Sequence, residues 1–457
     1  MAMGRRERGR QQEIFIETTG LRTAGHPFYQ RLNAILKEHG FDDFVEQLCA
    51  KFYDAKQGRP SIAPGVYFRM LLIGYFEGID SERGIAWRSA DSLALREFLG
   101  IELNQSPPDH SSVSRTRRRL ELETHKQVFQ WILGVLAKED LVEGKTVGVD
   151  ATTLEANAAL RSSVRRDSGE SYDEYLNGLA QASGIETPTR RDRAKVDKKR
   201  PKKGSNGDWQ HPKDPDARIT KMKDGRTHLA HKVEHAVDMS TGAVVAVTVQ
   251  EASKGDSQTV VRTIEQARRT LDALDESRQQ QAHHIREMVL DRGYHSNATM
   301  TFLQREGIRS YVAEPDRGRR RWKNKREAQL ATYSNRRRIT GRRGKGLQRR
   351  RGELLERTFA HCLETGALRR VHLRHRDYFL KRVLIHVGAF NLSLIMRKTV
   401  GKGTPRGLAD LSARLLRLLR TLPSSLASAT LLLCSPRVSL LLASATGYWG
   451  ISSSRFL

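Results

Sequence analysis

The sequence has few cysteines and no long uninterrupted apolar run. Its 3 cysteines, Cys49, Cys362 and Cys434, are far apart and form no CxxC pair, which argues against a disulfide framework and a cysteine-based zinc module. The Leu-rich C-terminal segment is broken by Pro436 and Arg437, so it falls short of the roughly 18 apolar residues that a spanning helix needs. The basic N-terminus lacks the apolar segment of a signal peptide. These absences predict a soluble, cytoplasmic protein.

Acidic residues are scarce relative to basic ones. The chain has 80 Lys and Arg residues against 52 Asp and Glu residues, which gives a net charge of +28 and a pI near 10.4. Such an excess favours a polyanionic partner, because each Lys or Arg placed on a phosphate releases condensed counterions. A ribosome-associated or membrane-surface protein would have the same excess. The charge therefore indicates a class of partner and not an activity.

Residues 1–142 have the apolar spacing of helices. In "PFYQRLNAILKEHGFDDFVEQLCAKFY" the apolar residues recur every three or four positions, and "SIAPGVYFRMLLIGYFEGI" predicts a second apolar helix with Pro64 near its first turn. N-caps are expected at Asp80 or Ser81, and again at Asp91 or Ser92. The segment is predicted to be an all-helical domain. Its basic faces could bind DNA, or the domain could serve packing alone.

From residue 143 to about 400, predicted strands and helices alternate. "KTVGVD" predicts a strand that ends at Asp150, and "REMVLD" predicts a short buried strand that ends at Asp291. Between them, "THLAHKVEHAVDMSTGAVVAVTVQEAS" alternates with a period of two around residues 240–242, which is typical of a β-hairpin. With helices between the strands, the pattern predicts an α/β domain with a mixed sheet flanked by helices.

Two basic segments interrupt this domain, and a Leu-rich segment follows it. Residues from about 161 to 223 are polar and charged with almost nothing to bury, which predicts a loop or a disordered insertion. Residues 317–351 contain Glu327 as their only acid and are interpreted as a basic arm. Residues 401–457 form a tail of unknown role.

Asp150 and Asp291 each follow an apolar run at a predicted strand end. Neighbouring strands of one sheet bring such end residues to the same edge, where sites form in α/β folds. Two carboxylates side by side repel each other unless a cation lies between them, and Mg²⁺ binds through one or two carboxylates together with substrate phosphates. A third carboxylate is expected from the helix after the basic arm. Spacing alone does not separate Glu356, the preferred candidate, from Glu353.

Three acidic segments resemble the motifs of DDE transposases of bacterial insertion sequences. They are "VGVDATTLEANAAL", "VLDRGYHS" and "RRRGELLERTFAH", and the helical segments near residues 58–88 and 107–120 are similar to the N-terminal domain of the same proteins. The resemblance covers roughly residues 15–400. It implies an RNase-H-like catalytic core in which Asp150, Asp291 and Glu356 bind Mg²⁺ or Mn²⁺ and catalyse DNA strand cleavage and strand transfer. It also implies double-stranded DNA as the partner and a homodimer or larger assembly on that DNA.

The basic arm precedes Glu356 directly, so phosphate contact near the site is favoured over a purely solvated arm. The residues predicted to bind DNA are Arg317, Arg319, Arg320, Arg321, Lys323, Arg336, Arg337, Arg338, Arg349 and Arg350. The alternative interpretation is a basic nucleic-acid-binding protein without catalytic activity, or an inactive transposase remnant. In that case the acids at the strand ends would be turn residues.

Overall fold

The computed structural model describes residues 25–408, together with residues 3 and 410. Short gaps in this range fall at 55–56, 59–60, 201–203, 223–224, 279–282, 317 and 319. The chain divides into two compact units, which are Met1–Leu120 with Leu392–Leu457, and Glu121–Asn391. Most of the predicted tail, residues 411–457, lies outside the described residues.

The first unit is helical from residue 27 to residue 119, as predicted. Its helices are α1 (Pro27–Glu38), α2 (Phe41–Cys49), α3 (Pro64–Glu77), α4 (Glu82–Asp91), α5 (Leu93–Leu99) and α6 (His110–Arg119). Pro64 occupies the first turn of α3, and Ser81 and Ser92 are the N-caps of α4 and α5. The N-cap is therefore the serine in both pairs of candidates, since each serine hydroxyl accepts a hydrogen bond from a backbone N–H of the following turn.

Helix α3 is the centre of the first unit. It is buried over nearly its whole length, and its Arg69 side chain is fully buried. Two Nη atoms of Arg69 donate to the two carboxylate oxygens of Asp42, at 2.6 and 3.0 Å. A bidentate partner of opposite charge compensates the desolvation of the guanidinium, so the arginine can lie in an apolar core.

The second unit is built around a mixed sheet. Its strands are β1 (Thr146–Glu155), β2 (Val164–Arg165), β3 (Trp209–Gln210), β4 (Arg218–Lys221), β5 (Thr227–Asp238), β6 (Val244–Glu251), β7 (Glu287–Leu290) and β8 (Arg309–Val312). The main sheet has the order β4–β5–β1–β7–β8. β4 pairs with residues 227–230 of β5, and β6 pairs with residues 231–237 of the same strand. β5 and β6 form the predicted hairpin. β7 and β8 run parallel to β1 and to each other, whereas β5 is antiparallel to β1.

Helices cover both faces of this sheet. The helices of this unit are α7 (Leu122–Lys138), α8 (Tyr172–Ala182), α9 (Arg190–Lys199), α10 (Asp256–Arg278), α11 (Asn297–Arg305), α12 (Arg326–Thr340), α13 (Arg342–Ala360) and the larger part of α14 (Arg376–Val400). In β5, Glu234 bonds to Thr263 of α10, and the next residue, His235, contacts Thr358 of α13. Successive strand residues point to opposite faces, so α10 and α13 lie on opposite faces of the sheet. The mixed sheet with flanking helices is confirmed.

The prediction that the first strand ends at Asp150 is wrong. β1 continues to Glu155, because the long strand β5 pairs with it as far as Ala230. The parallel partner β7 pairs with β1 only as far as Val149. Asp150 therefore lies inside β1, at the point where one of its two neighbouring strands stops.

The prediction of an irregular loop across residues 161–223 is also wrong in large part. Two helices, α8 and α9, form there, and each begins with a capping box, Ser171 with Glu174 and Thr189 with Asp192. Trp209 packs against two tyrosines of α8 at ring-centroid distances of 5.1 and 5.3 Å. The segment has too few apolar residues for a large core. Its helices are stabilised instead by capping at their first turns and by one aromatic cluster.

The basic arm at 317–351 is mostly helical. Within it, α12 and the first half of α13 are regular helices despite their many arginines. α12 is fixed to the sheet by Asn335, whose fully buried amide bonds both the N–H and the C=O of Val312 in β8, at 2.9 and 2.8 Å. Some arginines of the arm bond to strand residues, such as Arg338 to Ser310 and Arg343 to Glu287, and others are exposed to solvent.

One helical segment of the described residues, Arg376–Leu408, is long and apolar enough to cross a membrane by length and composition alone. In its most apolar window, 89% of the residues are buried inside the structure. This is the burial expected of the core helix of a folded domain, with Phe379, Val383, Val387 and Phe390 all buried.

Candidate active site

Asp150 and Asp291 lie next to each other at one edge of the sheet. β7 pairs with β1 up to Leu290 and Val149, so the two aspartates are the next residues of adjacent parallel strands. Asp291 then begins a single turn of 3₁₀-helix, Arg292–Tyr294. The sequence prediction that the two carboxylates meet at one edge is confirmed by this register.

Arg351 of α13 contacts both aspartates. Its Nη1 donates to Oδ2 of Asp150 at 2.9 Å, and its Nη2 lies 3.8 Å from Oδ2 of Asp291. The other oxygen of each carboxylate accepts a backbone N–H, from Ala151 for Asp150 and from Arg292 for Asp291. The oxygens not used by the backbone therefore face the same cation.

The close approach of α13 to β1 depends on Gly148. This residue is two positions before Asp150 and on the same face of the strand. A Cβ at Gly148 would lie 2.7 Å from Sδ of Met239, 3.1 Å from Cδ1 of Leu355 and 3.5 Å from Cγ of Arg351. The absent side chain lets the helix lie directly on the strand, and this brings the Arg351 head group to Asp150.

The electrostatics of Asp150 reflect a crowded, partly buried position. Burial raises the pKa of the Asp150 carboxyl above its usual value, the Arg351 guanidinium opposes this rise, and the charge of Asp291 adds to it. Burial is the largest of these effects on the pKa and repulsion by Asp291 the smallest, so the raised pKa of Asp150 reflects desolvation first and the neighbouring carboxylate second.

Two further titratable groups lie close to Asp150. His235 is its cross-strand partner and stacks on Phe359 of α13, and complete burial lowers the histidine pKa to about 3. Tyr294 is fully buried with its hydroxyl lacking a hydrogen-bond partner in the described residues. Burial and the charges of Glu234, Asp256 and Asp150 raise the pKa of Tyr294 well above its usual value. Both groups are uncharged at neutral pH.

The third predicted acid is not brought against the two aspartates. Glu356 and Glu353 are both exposed on α13, and Glu353 pairs with Arg357. At about 100° per residue, Glu356 lies about 140° around the helix from Arg351, which faces the site, and Glu353 about 160°. Neither glutamate belongs to a group of three metal-type ligands within 4.8 Å in the described residues.

That criterion is met elsewhere, by Asp214, Asp216 and His375. The Asp214 carboxylate accepts a hydrogen bond from the backbone N–H of His375 and lies 3.3 Å from Nε2 of His231. The Asp216 carboxylate accepts a hydrogen bond from the backbone N–H of Arg376. These contacts cap the start of α14, where carboxylates are favoured by the helix dipole. The cluster is an acidic group with metal-ligand geometry, and capping already accounts for its charges.

The residues predicted to bind DNA divide into two sets. Arg317 and Arg319 lie outside the described residues. Arg320 and Arg336 pair with Glu314, and Arg338 bonds the backbone and side chain of Ser310. The exposed members of the set are Arg321, Lys323, Arg337, Arg349 and Arg350. Arg320, Arg336 and Arg338 therefore make contacts within the fold, whereas the five exposed residues could contact phosphate.

Sequence reasoning did not identify Arg351 or Gly148. Arg351 was counted within the basic arm, although it lies four and seven residues before Leu355 and Thr358, which are buried against the sheet. That spacing places all three on one helix face and was readable from the sequence. Gly148 was readable as a small residue on the Asp150 face of the strand.

Two family models match the chain. A model described as "Transposase domain (DUF772)" matches residues 18–119, and one described as "Transposase DDE domain" matches residues 182–392. The second range includes Asp291 and Glu356 and begins after Asp150. Neither a curated protein nor a solved structure matches the chain.

Proposed function

The chain belongs to the DDE-type transposases of insertion sequences, and on that basis we propose that it cuts DNA strands at the ends of an insertion sequence and joins them to target DNA by metal-dependent phosphoryl transfer. One observation carries the proposal. Asp150 and Asp291 are adjacent at one sheet edge, and their available oxygens face a common cation.

The architecture of the second unit supports an RNase-H-like catalytic core. Its sheet combines an antiparallel hairpin with two parallel strands beside β1, and helices lie on both faces. The helical unit at 27–119 coincides with the matched N-terminal transposase domain. We assign to it a role in DNA binding.

The two aspartates fit a divalent ion such as Mg²⁺ or Mn²⁺. Each offers one carboxylate oxygen that no backbone group uses, and the two oxygens are close enough to share one guanidinium. Mg²⁺ prefers oxygen ligands and keeps several waters, so two protein carboxylates suffice for a first ion. When bound, such an ion makes water or a hydroxyl a stronger nucleophile and stabilises negative charge on phosphate oxygens.

In this function the residues of the chain have distinct tasks. Asp150 and Asp291 hold the cation at the sheet edge, and Glu356, which is exposed about 140° around α13 from Arg351, joins them as the third acid only after a movement of α13. Exposed Arg337 and Arg349 bind the phosphate backbone of double-stranded DNA. Cleavage uses water as nucleophile, and strand transfer uses a DNA 3′-hydroxyl at the same site. Acting on two element ends at once calls for a homodimer or larger assembly, located in the cytoplasm at the nucleoid.

The test is cleavage of a supercoiled plasmid that carries the DNA flanking the gene. With Mg²⁺ the wild type should nick the plasmid, and chelation should stop it. Asp150→Asn and Asp291→Asn should abolish nicking while DNA binding, measured by fluorescence anisotropy, stays within about twofold. Asp167→Asn, which changes an exposed carboxylate paired with Arg165, is the matched control and should cut normally.

A pair of variants tests the third acid. Glu356→Gln should lose nicking, and Glu353→Gln should retain it. Nicking at the wild-type rate by Asp150→Asn or Asp291→Asn would reject the assignment of the site. If the wild type binds DNA but does not cut it, with or without Mg²⁺, the interpretation as a non-catalytic DNA-binding protein is favoured.

A further inference from the structure

We propose that Arg351 is an internal cation of the Asp150–Asp291 site, which competes with divalent ions for the two carboxylates and must turn away before an ion can bind. This inference rests on the proposed function and concerns how the same site is regulated.

The first argument comes from the oxygen atoms. Oδ1 of Asp150 accepts the N–H of Ala151, and Oδ1 of Asp291 accepts the N–H of Arg292. The remaining oxygen on each carboxylate, Oδ2, is the one that faces Arg351, at 2.9 and 3.8 Å. An ion shared by the two aspartates needs those same Oδ2 atoms. Arg351 and the ion therefore compete for one set of ligands.

The second argument is electrostatic. The Arg351 side chain is 12% exposed and that of Asp150 is 27% exposed, so their charges are only partly screened by water. With Arg351 in place, the two aspartates and the guanidinium sum to a charge of −1. Adding a dication would bring two cations within a few ångströms in a half-buried position, where repulsion is several times stronger than in bulk water. Binding of the ion thus favours departure of the guanidinium.

The third argument is that Arg351 is incompletely held. Its Nε is buried and has no hydrogen-bond partner among the described residues. An unsatisfied buried donor costs free energy, which is recovered when the side chain moves to water or to a phosphate. The stem of Arg351 passes over Gly148 beside Met239 and Leu355, so the side chain leaves the site by turning its head group outward and not by crossing the strand.

Masking of the aspartates has a physical use in a DNA-binding protein. Two bare carboxylates at the sheet edge would repel the phosphate backbone that the surrounding arginines attract. Arg351 neutralises one of the two charges until a divalent ion takes over. This gives an order of events in which the metal-free protein can approach DNA without a strongly acidic centre.

The inference is tested by Mn²⁺ binding to the full-length protein without DNA, measured by the electron paramagnetic resonance of free Mn²⁺. Arg351→Gln removes the charge, and Arg351→Met does so while keeping an apolar stem of similar length. Each should bind Mn²⁺ on the order of tenfold more tightly than the wild type. The wild type must break one charge-assisted hydrogen bond, from Arg351 to Asp150, before the ion binds, and the variants have no such bond to break. Lys345→Gln, which removes an exposed positive charge elsewhere on α13, is the matched control and should bind as the wild type does.

Unchanged or weaker Mn²⁺ binding in both Arg351 variants, with circular dichroism showing intact folding, would overturn the inference. Arg351 would then position the aspartates without competing for them. Failure of the proposed function gives a different result. If Mn²⁺ binding survives in the Asp150→Asn, Asp291→Asn double variant, the ion binds elsewhere and the assigned site is wrong.

Discussion

Replacing Gly148 by alanine should weaken the contact between β1 and α13 that forms the site. The new Cβ would lie 2.7 Å from Sδ of Met239 and 3.1 Å from Cδ1 of Leu355, whereas nonbonded carbon atoms prefer about 3.5–4.0 Å. Leu355 is fully buried and has little room to move. Overpacking of this kind costs about 1–3 kcal/mol.

An opposing effect must be subtracted. Alanine restricts the unfolded chain more than glycine does, which stabilises a protein by about 0.4–1 kcal/mol where the backbone conformation suits it. Gly148 lies in an ordinary strand conformation, so this gain applies. Subtracting this gain from the overpacking cost gives a net loss of about 0–2.6 kcal/mol in the free energy of unfolding, centred on about 1.3 kcal/mol. DNA nicking should fall as well, since a shift of β1 against α13 would move Asp150, two residues further along the strand, relative to Asp291.

The assay is chemical denaturation followed by circular dichroism, with nicking measured in parallel. Gly352→Ala in α13 is the control, because its new Cβ would meet nothing within 4 Å and helix propensity predicts a gain of up to about 1 kcal/mol. The double variant Gly148→Ala, Met239→Ala should be more stable than the sum of the single effects predicts, since removing the sulfur relieves the shortest contact. A Gly148→Ala protein as stable and as active as the wild type would refute the claim of a tight approach.

Three further changes test other parts of the structure. Asp42→Asn removes the carboxylate charge that pairs with the buried Arg69 and should cost about 3–5 kcal/mol in denaturation experiments, whereas a loss below about 1 kcal/mol would contradict the buried ion pair. Asn335→Ala leaves the N–H and C=O of Val312 unsatisfied and should cost about 2–4 kcal/mol, and a neutral result would mean that water replaces the amide. His235 is held neutral with a pKa of about 3, so below its usual value of about 6.5 only the unfolded chain gains the proton and stability falls as the pH drops. Between pH 7.5 and 5.5 the wild type should lose about 1.4 kcal/mol more than His235→Gln, and equal losses would show that the histidine is accessible in the folded state.

The sequence was sufficient to predict that Asp150 and Asp291 converge. Apolar runs located both strands, and parallel strands in one sheet bring the residues beyond their ends to one edge. It was not sufficient to find where β1 ends, because that depends on the length of its antiparallel neighbour β5, 70 or more residues away in the chain. Which strands pair, and over what length, is decided in the assembled sheet and is not encoded in the residues of one strand alone.

The helices in the two basic segments show a different limit. The composition of residues 161–223 predicts a loop, but α8 and α9 form there with capping boxes, and in the basic arm α12 is fixed to β8 by Asn335. The capping motifs were visible in the sequence and deserved more weight than composition. The position of Arg351 between the aspartates required both the register of β7 and the approach of α13 over Gly148, which only the fold supplies.

The most direct test of the account is to locate a bound ion. Crystals of the full-length protein soaked with Mn²⁺ should give an anomalous-scattering peak about 2–2.5 Å from Oδ2 of both Asp150 and Asp291, with the Arg351 head group moved away. A peak confined to Asp214, Asp216 and His375, with Arg351 still bridging the two aspartates, would contradict the assignment of the catalytic site.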